Sequence, residues 1–559
     1  MSSSPTIPGL YYNFLRPPAE PSPIRTDVAG FYGRTMRGPV GTPVRVQGWR
    51  EYVSVFGGLV SGAMTPYAVR GYFDNEAQIA YVVRLIGAKS QTAAGTWVAG
   101  TLNPSTEKLN PDWPGASGLK SLQFQFQANS PGDWANDTWV QVRYWAYGQS
   151  GSPEFEVEIN PPNEAAEILS GISPTKFDST ENCTLDNFAP AVNSTSEYVT
   201  VTACPSPGGF AKAEQDAPPG PRYYEWPAFR LSGGTTIHPG KEDYLAAIQN
   251  LGHQPEVALI VSPDLYHPHF YKPGDPQSAE KIFEILYAEL AQANRLHDRL
   301  VVIDVPPDQA DPIQAAEWVD TQLRNPVPPA PTMTEEILRN GAVYHPWLLV
   351  PDPLGTAASP QTCVPCSGYV TGVISRLDLQ QGAYITPANA AIFEAVDLSR
   401  TLSLSEQALV YSGGINLLTC SPGQGLLIWG GRVLGPEQQG TGDVLGGFVA
   451  HRRLIHLLVR AIRRVAEPLV FEVNGPQLWL AFVRAITTVL LQAYRAGALQ
   501  GDTPDQAFRV QCDASTNPPE QIETGTVVCV IQVAPAVPME FITLRVSVSA
   551  QGQLEIFES

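Results

Sequence analysis

The spacing of hydrophobic and polar residues divides the chain into strand and helix patterns. Short apolar runs at Val28–Gly33, Ala80–Ile86, Val257–Val261 and Leu300–Val305 predict buried strands. A helical pattern over Ala279–Asn294 lies between the last two runs. A helix that joins two buried strands is typical of a parallel βαβ unit. The sequence therefore predicts a mixed fold of the α+β or α/β class with βαβ elements in its core.

A different pattern occupies residues 88–229. Hydrophobic residues alternate with other residues over Leu122–Phe126, Val140–Tyr144 and Phe155–Ile159, and turns rich in Gly, Pro and Asn separate these stretches. Alternation with period two is typical of strands that bury one face. We therefore predict a β-rich domain inserted into the core domain.

The C-terminal part of the chain combines helices with strands. Helical patterns cover about 450–466 and 476–497, and a strand pattern follows at 526–533. An alternating tail then runs over 541–557 and places four apolar residues on one face of a strand: Ile542, Leu544, Val546 and Val548. Because this tail follows a complete set of elements, we expect it to find its ladder partner on another chain.

The N-terminal segment, residues 1–25, is rich in serine and proline, with the run Arg-Pro-Pro-Ala-Glu-Pro-Ser-Pro at 16–23. Such a run cannot bury itself, so we expect an extended arm. A short helical pattern at Trp49–Phe56 follows in the core. The expected division of the chain is an N-terminal arm (1–25), a core domain (26–87 with 230–440), an inserted β-rich domain (88–229), a C-terminal domain (441–540) and a C-terminal arm (541–559).

Composition narrows the function classes. The chain has 559 residues, enough for three or four domains. Acidic residues outnumber basic ones by 54 to 35, and a net charge of −19 would repel phosphate backbones, so we expect no nucleic-acid partner. Seven cysteines do not form a disulfide framework, which favours a reducing compartment such as a bacterial cytoplasm. The sequence also predicts neither a secretory signal nor a membrane-inserted segment.

The strongest local signal is a basic helix over His451–Val465. At about 100° per residue, its basic side chains fall within an arc of roughly 120°. These side chains are Arg452, Arg453, His456, Arg460, Arg463 and Arg464. Apolar residues cover the rest of the helix, which is therefore amphipathic. One interpretation is a solvated charged face, and the other is a contact with an acidic partner or with a neighbouring copy.

Candidate chemistry is sparse. Cys363 and Cys366 form a CxxC motif, but there is no second such pair, and the surrounding Pro353–Ser367 is predicted to be a loop. His267 and His269 could supply two imidazoles, but no third ligand is near them in the sequence. No phosphate loop, nucleophile elbow or zinc-binding HExxH motif occurs. We therefore expect no catalytic, cofactor or metal site.

The competing interpretation is an α/β enzyme. Residues that follow the strands of the 257–305 unit are where such enzymes often place catalytic groups. The candidates there are Asp264, His267 and Asp304. A hydrolase-like activity is the alternative that they leave open.

Several segments, in this order along the chain, resemble contractile tail sheath proteins. They are Thr26–Val40, Pro66–Asn75, Tyr81–Arg84, Tyr344–Trp347, Val350–Pro353, Pro387–Asn389, Gly414–Asn416, Leu427–Arg432, the basic helix, Val470–Asn474, Leu478–Trp479, Cys512–Asp513 and Thr516–Pro519. The resemblance covers 26–87 and about 340–545, and it looks closest to the sheaths of extracellular or membrane-anchored contractile injection systems. Residues 88–229 have no counterpart in it.

The resemblance implies a structural subunit and not an enzyme. Sheath subunits of this kind form hexameric rings that stack helically around an inner tube, between a baseplate and a cap. Their terminal arms exchange strands between copies, and contraction drives the tube through a target membrane. The inserted domain would lie on the outside. The particle would assemble in the bacterial cytoplasm and then be released or membrane-anchored.

On this interpretation the basic helix face contacts the inner tube or an adjoining subunit, and the C-terminal tail exchanges strands between subunits. An alternative is a non-contractile baseplate or cap protein of the same particle.

Overall fold

The structure is a computed structural model that describes most of the chain. It covers residues 24–98, 123–145, 154–162, 164–172, 176–177, 182–184, 187–203, 210–211, 223–326, 331–356, 358–435, 447–469, 472–523, 525–535, 542–548 and 554–558. Of the arm expected over residues 1–25, only Ile24 and Arg25 fall within this set. The rest of that expectation lies outside the described residues.

The described residues form strands and helices in alternation. The strands are β1 (Ala29–Gly33), β2 (Val44–Val46), β3 (Ala80–Arg84), β4 (Ala94–Val98), β5 (Gln123–Ala128), β6 (Trp139–Trp145), β7 (Glu154–Asn160), β8 (Glu167–Ile172), β9 (Lys176–Phe177), β10 (Asn182–Thr184), β11 (Val199–Ala203), β12 (Phe210–Ala211), β13 (Tyr223–Glu225), β14 (Phe229–Arg230), β15 (Leu259–Val261), β16 (Leu300–Asp304), β17 (Gly341–His345), β18 (Leu348–Thr356), β19 (Ser359–Val364), β20 (Ala390–Ala391), β21 (Asp397–Leu398), β22 (Ile415–Ser421), β23 (Gly425–Trp429), β24 (Phe508–Gln511), β25 (Val527–Val533), β26 (Ile542–Val548) and β27 (Leu554–Glu558). The α-helices are α1 (Trp49–Phe56), α2 (Thr65–Asp74), α3 (Phe188–Thr195), α4 (Lys241–Gly252), α5 (Pro276–Leu296), α6 (Pro312–Trp318), α7 (Glu335–Leu338), α8 (Ser367–Gln381), α9 (Leu404–Ser412), α10 (Val449–Ala466), α11 (Pro476–Arg495), α12 (Pro504–Ala507) and α13 (Pro519–Glu523).

The core of the molecule is a nine-stranded sheet with the order β2-β3-β1-β15-β16-β17-β22-β23-β20. The six strands from β3 to β22 run parallel, and antiparallel strands close both edges. The β15–α5–β16 segment is the parallel βαβ unit predicted over 257–305. The predicted mixed α/β fold is therefore confirmed, and the structure shows that it contains several sheets.

Helices cover both faces of this sheet. Side chains on both faces of its central strands are therefore buried, which explains why these strands are continuous apolar runs in the sequence. Every residue of β1, β15, β16 and β17 is buried. Side chains of α1, α2 and α8 share one hydrophobic core with the sheet. Side chains of α4 and α5 share a second core on the opposite face.

Glycines let α2 and α8 cross at close range. A methyl group on Gly368 would lie 2.5 Å from the carbonyl oxygen of Ala68, and one on Gly372 would lie 2.7 Å from that of Tyr72. Both distances are well inside van der Waals contact, so a side chain at either position would force the helices apart. The packing gained by this close approach offsets the loss of stability, about 0.5–1 kcal/mol, that a glycine causes in a helix interior.

Residues 94–230 carry β4–β14 and α3. The strands predicted by the alternation around 122–126, 140–144 and 155–159 are present as β5, β6 and β7. One sheet has the order β11-β5-β4 and another has β13-β6-β7-β8, and both pack around one aromatic core with α3. Within it, the Trp97 ring stacks on Phe124 and meets Trp226 edge-on.

The C-terminal part has a separate core between α10, α11 and the sheet β24-β25-β26-β27. Both helices lie where their 3.6-residue periodicity predicts them. Among the described residues, no helix is at once long and apolar enough to cross a membrane.

The C-terminal tail differs from its prediction in two ways. It forms two antiparallel strands and not one, because β26 and β27 pair with each other. It also finds a ladder partner in its own chain, since β26 pairs with β25 over seven residues. Ile542, Leu544, Val546 and Val548 lie opposite Val533, Ile531, Cys529 and Val527 of the same chain. The expectation that the partner strand lies only on another chain is therefore corrected for the single subunit.

Candidate functional site

The basic helix α10 lies between two cores of the same chain. Its apolar side chains, among them Leu454, Leu458 and Ile462, pack into the C-terminal core. Its basic face points the other way, toward the nine-stranded sheet. That face contacts residues that come just before four adjacent parallel strands, β1, β15, β16 and β17. The cationic face that the sequence predicts is thus present, and it binds the N-terminal edge of the sheet.

Burial corrects the expected partner of this face. Arg452, Arg453 and His456 are at most 3% exposed, so in this subunit they are closed off from an inner tube or a neighbouring copy. Arg460, Arg463 and Arg464 are partly exposed. The helix pattern shows that one face is basic, but it does not show which surface that face meets. For Arg460, Arg463 and Arg464 a contact with the inner tube or an adjoining subunit stays a prediction.

Two of the buried arginines bind groups in the core. Arg452 donates to Asn340 Oδ1 at 2.8 Å, just before β17. Arg453 donates to Asp378 Oδ2 on α8 at 2.5 Å and to the Thr26 carbonyl at 2.7 Å. The Thr26 hydroxyl also donates to Asp378, at 2.8 Å. One carboxylate therefore links α8, α10 and the segment that leads into β1.

Arg460 joins three separate segments through their carbonyls. Its guanidinium donates to the carbonyl oxygens of Arg25, Glu256, Val257 and Asp298, at 2.5–3.1 Å. Burial lowers the pKa of Arg460 to about 10, although the Asp298 charge raises it. The side chain is still cationic at neutral pH, so its bonds to the carbonyls are charge-assisted.

Asp298 forms ion pairs with two further arginines. It accepts from Arg463 at 2.8 Å and from Arg299 at 2.9 Å. His456 lies on the same face of α10, where burial first and then Arg452, Arg460 and Arg453 lower its pKa well below its ordinary value. The histidine is therefore neutral at neutral pH and adds no charge to this cluster.

The candidate catalytic carboxylates lie at the opposite, C-terminal edge of the sheet. Asp264 accepts from the backbone N–H of Arg34 at 2.7 Å and of Met64 at 2.6 Å, and from the Thr65 hydroxyl at 2.6 Å. Gly33 is needed beside it, because a methyl group there would lie 1.9 Å from Thr65 Oγ1. Asp264 is fully buried and tethers β1 to the start of α2.

Asp304 anchors the start of α8. It accepts from the Ser367 backbone N–H at 2.8 Å and from the Cys366 thiol at 3.4 Å. Burial raises the pKa of Asp304 from its ordinary 3.8 to about 6, and the Ser367 and Cys366 donors partly oppose that rise. A carboxylate at a helix N-terminus has a structural role that needs no substrate.

The CxxC motif is not in a loop, which corrects that prediction. Cys363 lies on β19, which pairs with β18, and Cys366 directly precedes α8, which begins at Ser367. Cys363 is exposed and Cys366 is buried. Burial raises the pKa of both thiols, so neither has the lowered pKa of a reactive cysteine.

His267 and His269 have a third histidine beside them in the structure, which their sequence positions do not predict. His267 and His269 follow β15 and are joined in space by His238, from the segment between β14 and α4. The ring centroids of His238 and His269 lie 3.6 Å apart. No spacing rule brings His238 to this pair, because the contact depends on how the chain returns from residues 94–230.

Comparison with known proteins identifies relatives over most of these elements. The family model described as phage tail sheath protein central domain matches residues 238–433, and the model described as phage tail sheath C-terminal domain matches 446–549. A tail sheath protein of Vibrio phage KVP40 is 29% identical over 185 residues, which is 33% of this chain. The match spans only 26% of that phage protein's own length.

Solved structures share the fold over nearly the whole chain. The sheath tail protein of Desulfitobacterium hafniense has a TM-score of 0.57 at 12% identity, with 97% of this chain and 100% of that one covered. The anti-feeding prophage helical sheath in its contracted state has a TM-score of 0.50 at 17% identity, with 96% and 98% covered. At these identities the likeness concerns the fold.

Proposed function

Because the chain belongs to the phage tail sheath family, we propose that it is the structural sheath subunit of a contractile, phage-tail-like injection particle. The observation that carries this proposal is that both the central and the C-terminal sheath regions match, in order, on one chain. The fold likeness to a helical sheath in its contracted state supports it. In this proposal copies of the chain stack as hexameric rings around an inner tube, between baseplate and cap.

The described geometry fits a mechanical role. Arg453 and Arg460 join the C-terminal part to the sheet through at least five polar contacts, so these two parts would move as one body. Contraction would then occur at contacts between subunits, as a switch between two packings. Residues 88–229 would face outward, and the core would span 26–87 and 230–440.

Links between subunits would use the C-terminal sheet. β26 is paired on both sides within its own chain, with β25 and with β27. Exchange would therefore take the form of a domain swap, in which the β26–β27 hairpin of one copy pairs with β25 of another in the same register. The outer side of β27 could also accept an added strand, such as the N-terminal arm of a neighbour.

We propose a structural and not an enzymatic role. Asp264 and Asp304 are both buried and are engaged by backbone N–H groups. A general acid or base needs a free proton-transfer site within reach of a substrate, which neither carboxylate offers. We further propose assembly in the bacterial cytoplasm, with later release or membrane anchoring of the particle.

The test is electron microscopy of particles from the native host, combined with mass spectrometry of their subunit ratios. We expect tubes in extended and contracted forms, with this chain among the most abundant proteins. A copy number of a few per particle would contradict the proposal and favour a baseplate or cap protein. Gold labelling of a tag on the chain separates these outcomes, because a sheath subunit is labelled along the tube and a baseplate or cap protein only at one end.

A further inference from the structure

Three of the eight histidines of the chain meet beside the C-terminal edge of the sheet. His238, His267 and His269 each offer one ring nitrogen, and these atoms lie within 4.8 Å of one another. His267 is 9% exposed, His238 is half-buried and His269 is exposed. The cluster is therefore open on one side, with its two inner members held by the fold.

The three rings lie close together, and two of them are stacked in contact. His238 and His269 are stacked with an interplanar angle of 18°, and the His267 ring centroid lies 5.1 Å from that of His269. Stacking of this kind would be repulsive between imidazolium cations. A ring nitrogen binds a metal ion through its lone pair, which a protonated ring lacks.

One ring nitrogen in this cluster lacks a hydrogen-bond partner among the described residues. His238 Nδ1 is buried and has no hydrogen-bond partner among the described residues. A buried polar atom without a partner destabilises the fold, and a ligand bound to this nitrogen would relieve that cost. This unsatisfied nitrogen is a second observation, beside the clustering, in favour of a ligand at His238.

We propose that His238, His267 and His269 form a binding site for a divalent transition-metal ion that prefers imidazole, such as Zn²⁺. Three imidazoles with an open fourth position form a donor set that zinc accepts. Tetrahedral Zn–N bonds of about 2.0–2.1 Å require nitrogens about 3.4 Å apart, so the nitrogens have to approach one another by up to about 1.4 Å. His269 supplies this movement, because an exposed ring can rotate out of the stack and turn its lone pair toward the ion.

Arg34 competes with the ion for this site. Its guanidinium contacts His267 Nε2 at 2.8 Å, and because arginine can only donate, the nitrogen must be the acceptor there. An ion that binds Nε2 has to displace this cation. Removing the guanidinium should therefore strengthen binding, whereas removing an imidazole should weaken it.

The site lies at the junction of the insertion and the core. His238 belongs to the segment that returns from residues 94–230, where the Asp133 backbone N–H donates to the Thr236 hydroxyl at 3.0 Å. On the core side, the Gly87 N–H donates to the Ile237 carbonyl at 2.8 Å. An ion would tie this returning segment to the loop that carries His267 and His269, and so fix the insertion against the core.

The test uses the purified full-length chain after treatment with a chelator, titrated with ZnCl2 by calorimetry and with CoCl2 by visible absorption. We expect one ion per chain and the strong visible bands of tetrahedral cobalt. H269N should lower the affinity at least tenfold, and R34Q should raise it. H253N is the matched control, because His253 is exposed and lies outside the cluster.

Among the described residues, Cys363 and Cys420 are exposed cysteines that compete for the ion, so the titration is repeated with Cys363→Ser and Cys420→Ser together. Unchanged binding in that variant supports the histidine site. The proposal is overturned if the wild type binds no stoichiometric ion, if H269N binds like the wild type, or if the serine variant loses the ion. Circular dichroism confirms that each variant is folded before it is titrated.

Discussion

Arg453 on α10 and Asp378 on α8 form an ion pair across 2.5 Å, with each side chain only 4% exposed. The pair joins the C-terminal part of the chain to the core. Removing one partner leaves the other charge buried without compensation, which costs about 3–5 kcal/mol. We therefore expect D378A to lower the free energy of unfolding by this amount, as measured by urea denaturation.

The double variant R453M/D378L tests whether the two charges of this pair stabilise each other. Replacing both charges with apolar groups of similar volume should cost less than D378A alone, because no charge is then left buried. If the double variant is as unstable as the sum of the two single variants, the pair is not energetically coupled.

Charge reversal on the basic helix should separate structural from assembly roles. R460E would bring a carboxylate against four carbonyl oxygens, so we expect a chain destabilised by more than about 3 kcal/mol or recovered only as aggregate. R464E, at a partly exposed position, should change the free energy of unfolding by less than about 1 kcal/mol. The measurement is thermal unfolding of both variants side by side.

R464E also tests whether this end of the helix contacts the inner tube or a neighbour. If it does, the folded variant should fail to form sheathed tubes when it replaces the wild type in the host. Full-length sheaths built from R464E would rule out such a contact.

Stability should depend on pH through Asp304. Its pKa of about 6 in the folded chain exceeds the ordinary 3.8, so between these values the folded state binds more protons than the unfolded state. The free energy of unfolding therefore falls as pH rises from about 4 to about 6 and is not affected by this group above that. From about pH 4 to about pH 6, the free energy of unfolding of D304N minus that of the wild type should rise by about 3 kcal/mol, at 1.36 kcal/mol per pKa unit.

Denaturation at several pH values checks this dependence. D505N is the matched control, because Asp505 is exposed and its substitution should leave the wild-type slope unchanged. A constant difference between D304N and the wild type across the range would mean that Asp304 is ionised throughout.

Truncation tests the role of the C-terminal strands. Deleting 554–559 removes only β27, the edge strand, so we expect a folded subunit that does not polymerise. Deleting 541–559 also removes β26 and with it seven backbone pairings to β25, so this subunit should be soluble but less stable as well as unable to polymerise. Normal sheaths from either truncated chain would contradict strand exchange. The measurements are thermal unfolding and electron microscopy.

The local elements could be predicted because their patterns are set by local burial. The apolar runs at β1, β15 and β16 and the 3.6-residue periods of α10 and α11 all occur where the sequence places them. The partners of these elements could not be predicted. The basic face of α10 meets carbonyls from segments around residues 25, 257 and 298, and only the folded sheet brings those segments together.

The same limit applies to the site residues. His238 reaches His267 only because of the route by which the chain returns to the core. The CxxC flanks look like a loop because Pro351, Pro353 and Gly355 interrupt the strand pattern, yet β18 and β19 pair with a register shift between 351 and 356. Irregular hairpins of this kind carry no simple periodicity.

The chain leaves the core for the insertion and returns to it at a single point. Ala94 and Ser232 exchange backbone hydrogen bonds of 2.9 and 3.0 Å there, so the two ends of the insertion are as close as neighbouring strands. A segment anchored in this way can be exchanged as a cassette, with a tight turn or a foreign domain in its place. Two buried guanidinium groups of the core constrain the graft. Arg84 donates to the Pro131 carbonyl at 2.7 Å and Arg37 lies 3.6 Å from the Glu164 carboxylate, so any replacement has to provide an acceptor for each. With these acceptors in place, one part of the fold can be replaced while the nine-stranded sheet and the C-terminal part stay unchanged.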